Sequence, residues 1–275
     1  MDILYDINGK TIGKVGGILL NSNVEDSKRL VETFIYGIEK IKEDHMDYLI
    51  MEELPLFNRS EIELIEYSTN LKILDGQPAL MTTLPLVLKD IQRITKEDLR
   101  KKEVLIIGNG DKLIEELICT LHKEISFVTL VGDDEVAIEN ISQSVFKRTG
   151  LSIFCSRNID KILTNYSIIV NLKEENPINV NKFRRGAIIF DFSTRKGFSR
   201  NIKNRRSSVV IEDFMFASRD LNIMDNQWTN ELISSKFYEL FYDHMDIKPK
   251  GFLVNDNIYA MEDLIDKEIR KKGEL

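Results

Sequence analysis

The sequence is poor in the residues that build disulfide frameworks and metal sites. It has only two cysteines, Cys119 and Cys155, which cannot staple a small secreted fold and which favour a reducing compartment. Its three histidines, His45, His122 and His244, are scattered without ligand spacing, and neither CxxC nor HxxxH occurs. We therefore predict no metal site.

Long apolar runs and an excess of basic residues are also missing. No segment approaches the roughly twenty apolar residues of a membrane-spanning helix. The start, MDILYDINGKTIG, lacks the basic residues and apolar core of a signal peptide. The formal net charge of −7 argues against a general nucleic-acid or membrane-surface protein. We expect a cytoplasmic protein whose 275 residues suffice for one large or two ordinary domains.

The most informative stretch runs from residue 101 to residue 134. An apolar run, Val104–Ile107, leads into Gly108-Asn109-Gly110 and then into a helical pattern. A second apolar run, Phe127–Val131, ends at Gly132-Asp133-Asp134. A strand, a glycine turn, a helix, a strand and a terminal acid within about thirty residues are typical of the first βαβ unit of a Rossmann dinucleotide-binding fold.

Each part of this unit predicts a contact to a cofactor. Gly108 allows the tight turn, Gly110 lets the backbone approach a pyrophosphate, and the first amides of the helix face the anion. Asp133, or its neighbour Asp134, can accept a hydrogen bond from a ribose hydroxyl and would repel a 2′-phosphate, so NAD is favoured over NADP. The predicted cofactor-binding residues are Gly108, Asn109, Gly110, Asp111, Lys112, Asp133, Asn171, Leu172 and Ser193.

The glycine motif is incomplete. In the G-x-G-x-x-G register the third glycine falls at Leu113, where a small residue normally lets helix and strand pack closely. Asp111 places a negative charge where a phosphate would sit, and Lys112 can offset it. Two hypotheses stay open at this point: a working nucleotide site, or a retained fold whose site is lost.

The remaining patterns predict an α/β protein in which a smaller α/β domain precedes a doubly wound Rossmann domain with a parallel sheet. We place the small substrate or partner domain at 1–99, the Rossmann domain at 100–225, and C-terminal helices that pack back on the N-terminal domain at 226–275.

A capping box is predicted at Ser60 and Glu63. The predicted strands are Lys14–Leu20, Tyr48–Met51, Leu71–Leu74, Val104–Ile107, Phe127–Val131, Leu151–Cys155, Ser167–Leu172, one within Phe183–Phe192, and Ser208–Ile211. The predicted helices are Val24–Lys42, Ser60–Tyr67, the segment that follows Asp75-Gly76-Gln77-Pro78 and runs to about Thr95, the pattern formed by Leu113, Leu117, Ile118 and Leu121, Glu135–Lys147, Ile159–Leu163, Trp228–Tyr242 and Ile258–Arg270.

In such a sheet, ligands bind beyond the carboxyl ends of the strands. One pocket would collect these ends, which are Gly108–Asp111, Asp133, Asn171–Lys173, Asp191–Thr194 and Glu212–Phe214. The last predicted helix either completes the fold or pairs with a second subunit in a homodimer, and completion of the fold is favoured.

A resemblance to a known superfamily is carried by four segments: 75–110 (DGQPALMTTLPLVLKDIQRITKEDLRKKEVLIIGNG), 163–172 (LTNYSIIVNL), 183–194 (FRRGAIIFDFST) and 209–213 (VVIED). In this order they resemble the amino-acid-dehydrogenase-like superfamily, which includes shikimate dehydrogenase, methylenetetrahydrofolate dehydrogenase, glutamyl-tRNA reductase and long-chain acyl-(acyl-carrier-protein) reductases. The resemblance implies two domains and a nicotinamide cofactor, with SIIVNL ending beside the nicotinamide and AIIFDFS closing the cofactor pocket.

The resemblance does not extend to a substrate. No lysine–aspartate pair in residues 1–99 matches that of shikimate dehydrogenase. Neither Cys119 nor Cys155 is placed as the nucleophile that thioester reductases employ, and both are more typical of small buried hydrophobes.

Asp75, with Gln77, is the best candidate for a substrate-facing acid or base, because it opens the helix that leads into the nucleotide domain. The alternative is an Asx-Gly turn that caps this helix. Asp191 and Ser193 follow a predicted strand, where they line the pocket rim or cap the strand end.

The segment 195–206 (RKGFSRNIKNRR) is the sharpest charge feature of an acidic protein. Its basic residues are Arg195, Lys196, Arg200, Lys203, Arg205 and Arg206. They form either a solvated loop or an anion-binding patch for a phosphate-bearing or carrier-bound acidic substrate. Nucleic acid is disfavoured because no aromatic residues of a recognised module are interleaved.

These observations favour a cytoplasmic NAD(P)-dependent oxidoreductase that acts on a small or carrier-bound substrate in a cleft between two domains. The alternative is a catalytically silent Rossmann-fold relative that binds a nucleotide or a protein. A methyltransferase is a third reading, because an acid after the second strand also suits the ribose of a methionine-derived cofactor.

Overall fold

The computed structural model describes residues 1–19, 26–156, 163–174, 182–202, 208–221, 223–224, 231–240 and 247–270. Its strands are β1 (Asp2–Tyr5), β2 (Thr11–Val15), β3 (Tyr48–Ile50), β4 (Lys72–Leu74), β5 (Glu103–Ile107), β6 (Phe127–Val131), β7 (Ile153–Cys155), β8 (Ile168–Asn171), β9 (Ile188–Asp191), β10 (Val209–Ile211), β11 (Asp213–Ala217), β12 (Leu232–Ile233), β13 (Gly251–Val254) and β14 (Asn257–Tyr259). Its α-helices are α1 (Ser27–Ile41), α2 (Arg59–Thr69), α3 (Gln77–Thr95), α4 (Lys112–Leu121), α5 (Glu135–Thr149), α6 (Gly197–Ile202), α7 (Ser235–Tyr238) and α8 (Met261–Leu264).

Six strands form a parallel sheet in the order β10-β9-β8-β5-β6-β7. Counted from β5, this is the strand order of the doubly wound Rossmann fold, 3-2-1-4-5-6. The predicted fold class, α/β with a parallel Rossmann sheet after a smaller α/β part, is thus confirmed. The strand order reverses between β5 and β8, and such a switch point is where open α/β sheets bind ligands.

The central strand β5 is apolar because both of its faces are covered. Alternate side chains of a strand point to opposite faces. Val104 and Ile106 enter the larger core, which they share with α3, α4 and α5. Leu105 and Ile107 enter a second core on the other face, beside Ile169, Ile189 and Phe198.

The part of the chain before β5 has its own core. It contains an antiparallel hairpin of β1 and β2, a parallel pair of β3 and β4, and the helices α1 and α2. Phe34 and Phe57 meet edge to face in this core, with ring centroids 4.9 Å apart. Helix α3 then leads into the large sheet and packs against α4 and α7. The domain limits at 99 and 225 stay predictions.

Two predictions for the first part of the chain are wrong in detail. The strand predicted at Lys14–Leu20 ends at Val15, because Gly16-Gly17 offers no side chain to support a ladder. Helix α2 is capped by Asn58 with Glu61, and not by Ser60 with Glu63. The Asn58 side-chain oxygen accepts the Glu61 N–H at 3.0 Å, and the Glu61 carboxylate accepts the Asn58 N–H at 2.7 Å.

The C-terminal helices are the larger error. In the described part of Trp228–Tyr242, residues Leu232–Ile233 form β12, and only Ser235–Tyr238 is α-helical. In Ile258–Arg270 the helical part begins at Met261 and continues as a π-helical turn, Ile265–Ile269. The reason is a four-stranded antiparallel sheet, β12-β11-β13-β14, which the sequence did not predict. Its ladder hydrogen bonds outweigh the local helical preference.

The helix predicted at Ile159–Leu163 falls mostly outside the described residues, which resume at Leu163–Asn165 with a short 3₁₀ turn. Within the described ranges, no helix has the length and apolar character needed to cross a bilayer.

Candidate functional site

The turn between β5 and α4 lies tightly against the end of β6. The Gly108 N–H donates to the Val131 carbonyl oxygen at 2.8 Å. A Cβ atom added to Gly132 would lie 2.0 Å from the Gly108 carbonyl oxygen. The glycine at 132 is therefore required by the packing of these two turns. Gly132 was predicted only as the end of a strand, and a glycine directly after an apolar run was the signal available for its role.

Internal packing also restricts the two glycines of the motif, and it does so more strictly at Gly110 than at Gly108. Gly110 has a φ of +83°, which disfavours other residues, and a Cβ atom there would lie 3.1 Å from the Cβ of Ala137 on α5. A Cβ atom on Gly108 would lie 2.4 Å from Cδ1 of Ile114. Both glycines fit the Rossmann turn, and their contact with a pyrophosphate stays a prediction.

Leu113 does not disturb the packing of helix α4 on the sheet. Leu113 is 38% exposed, whereas the next residue, Ile114, is buried against Gly108. The departure from glycine at the third motif position therefore leaves the helix–strand contact intact and puts an apolar residue at the rim of the site.

The N-terminus of α4 has both free donors and an internal anion. Asp111 is the N-cap, and its carboxylate accepts the Ile114 N–H at 2.9 Å. Within the described residues, the N–H groups of Lys112 and Leu113 reach no protein acceptor. Such amides attract anions. A phosphate at this helix end would therefore meet two available amides and the Asp111 charge, whereas the Lys112 ammonium acts on Glu116, one turn further along the helix.

The two acids after β6 have different positions. Asp134 caps α5, where its carboxylate accepts the Ala137 N–H at 3.0 Å. Asp133 projects into solvent with 75% of its side chain exposed and forms an ion pair with Lys173, which follows β8. Asp133 is therefore the acid that is free of a capping role. It is the acid that we predict to accept a ribose hydroxyl, and the Lys173 ammonium lies beside it.

A depression of about 300 Å³ opens next to Asp133, at the carboxyl ends of β6 and β7. Its lining residues are Gly132, Glu135, Ile138, Glu139, Ser142, Cys155 and Ser156. Its size is at the lower end of the range for small-molecule sites. It offers a place for one ring system beside the predicted ribose position.

Asp191 organises the ends of β8 and β9. Its fully buried carboxylate accepts the Asn171 side-chain amide at 2.8 Å and the Ser193 hydroxyl at 2.7 Å. It also accepts the N–H groups of Phe198 and Ser199 at 2.9 and 3.0 Å. These polar groups are thus engaged with one another inside the protein, as expected for strand-end capping. A role for Asn171, Leu172 and Ser193 beside a nicotinamide stays a prediction.

Glu174 draws the loop after β9 towards the loop after β8. Its two carboxylate oxygens accept the N–H groups of Thr194 and Arg195 at 2.7 and 2.8 Å. These two hydrogen bonds close the rim of the sheet between the two strands.

The basic segment 195–206 makes internal contacts where it is described. The Lys196 ammonium donates to the carbonyl oxygens of Asp191 at 3.0 Å and Glu212 at 2.7 Å. Arg200 donates to the Pro55 carbonyl oxygen at 3.1 Å. Lys203, Arg205 and Arg206 lie outside the described residues. Lys196 and Arg200 thus join the loop to the protein, and an anionic ligand for the segment stays a prediction.

The turn 75–77 lies at the carboxyl end of β9. The Asp75 carboxylate accepts the Gln77 N–H at 2.9 Å, and the Gln77 side-chain amide donates to the Phe192 carbonyl oxygen at 3.0 Å. Burial raises the pKa of Asp75, while the neighbouring charges of Lys196 and Arg59 favour its ionised form. The structure therefore places both predicted substrate-facing residues, Asp75 and Gln77, against the end of the Rossmann sheet.

Two further residues complete this junction: Lys236 in α7 and Glu239, the C-cap of α7. Neither of them was identified from the sequence. The Glu239 carboxylate accepts the Gly76 N–H at 2.8 Å, and burial together with the charge of Asp75 raises its pKa to about 7. Lys236 donates to the carbonyl oxygens of Met51 and Glu52 at 2.7 and 3.2 Å, and burial lowers its pKa. An isolated lysine and glutamate gave no sequence signal.

The arrangement therefore has two parts on one edge of the sheet. The first part, around Gly108, Lys112 and Asp133, offers backbone amides and an acid at the switch point. The second part, which we call the junction, comprises Asp75, Gln77, Lys196, Lys236 and Glu239. Titratable groups with shifted pKa values often mark the place where an enzyme moves protons.

No protein-family model matches this sequence. No curated protein matches it either. Among solved structures, dipicolinate synthase from Bacillus subtilis is 14% identical over 72% of this protein and 64% of that one, with a TM-score of 0.39. L-Tryptophan dehydrogenase from Nostoc punctiforme is 12% identical over 68% of this protein and 55% of that one, also at 0.39. Quinate dehydrogenase from Corynebacterium glutamicum, in complex with NAD, is 10% identical over 64% of this protein and 67% of that one, at 0.33.

The protein thus spans less than two thirds of the length of the first two of these structures. The identities and TM-scores are low, so the function proposed below depends on the residues of this protein.

Proposed function

We propose that this protein binds NAD at the carboxyl edge of its parallel sheet and is an NAD-dependent oxidoreductase. The observation that carries the proposal is the switch point between β5 and β8, where the Gly108 turn, the available amides of α4 and Asp133 lie on one edge. The substrate would lie at the junction. Its class, a small or carrier-bound acid, is proposed from the basic residues of segment 195–206.

The residues present fit such a cofactor. The amides of Lys112 and Leu113 would hold the pyrophosphate, Asp133 would accept a ribose hydroxyl, and the depression beside Gly132 would take the adenine. A bound nicotinamide supplies hydride transfer, and the protein supplies orientation and charge. In the junction, the task of Asp75 would be to exchange a proton with a substrate oxygen.

Titration with NADH and with NADPH tests the proposal. NADH is expected to bind saturably, and ligand at about 100 times Kd should add roughly 2.7 kcal/mol to the free energy of unfolding. Asp133→Ala is expected to weaken NADH binding about tenfold, because a charged hydrogen-bond acceptor is lost. Nicotinamide fluorescence and the thermal midpoint are the measurements. Asp134→Ser, which keeps a cap on α5, is the control and should bind NADH as the wild type does.

A second candidate is a binding module without catalytic activity, favoured by the position of Asp111. Its carboxylate already occupies the α4 N-terminus and would repel a phosphate. If the site is active, Asp111→Ser should bind NADH about threefold more tightly, because serine keeps the cap and removes the charge. Absence of binding at millimolar NADH in both proteins would leave the binding module and direct the search to partners of segment 195–206.

A further inference from the structure

Two carboxyl groups from distant parts of the chain meet at the N-terminus of α3. Asp75 precedes the helix and binds the Gln77 N–H at 2.9 Å. Glu239, at the end of α7, binds the adjacent Gly76 N–H at 2.8 Å. The two elements are packed closely, since a Cβ atom on Gly76 would lie 2.2 Å from the Ser235 hydroxyl oxygen. Gly76 also has a φ of +82°, so the turn cannot easily take another residue.

The charged groups around the pair divide between its two members. Asp75 faces Lys196, which directly precedes α6, Arg59 from α2 and Glu174 from the loop after β8. Glu239 faces Asp75 and, from β4, Lys72. The ammonium group of Lys236, on the same helix as Glu239, is directed to the carbonyl oxygens of Met51 and Glu52. The two cations beside Asp75 therefore favour charge on Asp75, and the charge on Asp75 opposes charge on Glu239.

This division acts differently on the pKa values of the two carboxyl groups. Burial and the negative charge of Asp75 raise the pKa of Glu239 to about 7. Burial also raises the pKa of Asp75, but Lys196 and Arg59 act in the opposite direction. The surroundings therefore favour a carboxylate at Asp75, and the charge on Asp75 favours a protonated carboxyl group at Glu239. Carboxyl pairs whose surroundings separate them in this way are a common basis of acid and base assignment in enzymes.

We propose that Glu239 is a positioning residue for Asp75, which keeps one negative charge on the pair while Asp75 exchanges a proton with the substrate. The inference rests on the proposed function, in which Asp75 faces the substrate. When the Asp75 carboxylate takes a proton from a substrate hydroxyl, the substrate oxygen keeps the electron pair of the broken O–H bond. Glu239 then releases its own proton to solvent, and the charge of the pair is unchanged. The reverse reaction returns both protons.

The test is a carboxyl ¹³C NMR titration of protein labelled at glutamate, with Glu239→Gln used to identify the Glu239 signal. Glutamine keeps an acceptor for the Gly76 N–H, so the variant should fold. The Glu239 signal is expected to titrate near pH 7 and to move down by at least about half a pH unit in Asp75→Asn, where the neighbouring charge is absent. Glu262→Gln, on the exposed side of α8, is the control and should leave the Glu239 midpoint unchanged.

A Glu239 midpoint near that of a free glutamate, or one that does not move in Asp75→Asn, would overturn the proposal. The titration is recorded without cofactor. If the protein does not bind NADH, the proposed oxidoreductase is refuted, but the Glu239 midpoints measured here are unaffected. The failure of one proposal can therefore be told apart from the failure of the other.

Discussion

Replacement of Asp191 by alanine is expected to lower the free energy of unfolding by about 3–5 kcal/mol, since each buried donor left unsatisfied costs about 1 kcal/mol or more. The buried carboxylate accepts four hydrogen bonds, two from the side chains of Asn171 and Ser193 and two from the backbone of α6. Alanine would leave all four donors without their acceptor in a site closed to solvent. Urea unfolding followed by circular dichroism measures the difference.

One further variant shows whether the charge or the geometry of Asp191 matters, and a second variant is the control. Asp191→Asn keeps the shape, but its NH₂ group would face donors, so we expect most of the alanine effect. Asp44→Asn alters an exposed aspartate and should change stability by less than about 0.5 kcal/mol. An Asp191→Ala protein within about 1 kcal/mol of the wild type would mean that Asp191 does not hold β8, β9 and α6 together.

The second large effect is expected from Gly132→Ala. The added methyl group would lie 2.0 Å from the Gly108 carbonyl oxygen, which is backbone and cannot swing aside. The turn after β5 must therefore move, at a cost of about 3 kcal/mol in stability. The same movement displaces the amides of α4, so NADH binding should be lost as well. Urea unfolding and NADH titration provide the two readouts.

Gly17→Ala is the matched control, because a Cβ atom there would meet nothing within 4 Å. It should unfold and bind NADH as the wild type does. If Gly132→Ala also unfolded and bound NADH as the wild type does, the turns after β5 and β6 would not be in the close contact described here.

The Rossmann part of the fold was predictable because its signals are local. The apolar run at Val104–Ile107 and the two glycines of the next turn determine a buried strand and a sharp reversal. The position of Asp133 directly after Phe127–Val131 was predicted from the same βαβ pattern. Asp75 and Gln77 could be placed near the end of the sheet because the helix that they open leads directly into β5.

The C-terminal part could not be predicted because its structure depends on pairing with distant residues. The apolar pattern at Leu232–Ile233 also fits a helix. These residues form a strand because they pair with β11. The shift of the α2 cap from Ser60 to Asn58 has a similar origin, since both residues are followed three positions later by a glutamate. Lys236 and Glu239 could not be identified from the sequence, because their roles depend on hydrogen bonds to Met51 and Gly76, which are far away in sequence.

The position of the cofactor is tested most directly by amide hydrogen exchange with and without saturating NADH. We predict slower exchange in the turn from Gly108 to Leu113, at Gly132–Asp134 and in the loop after β8 at Asn171–Glu174, with little change in α1 and α2. Binding of NADH that protected only other parts of the protein would contradict a nicotinamide site at the switch point, as would the absence of any protection at millimolar NADH.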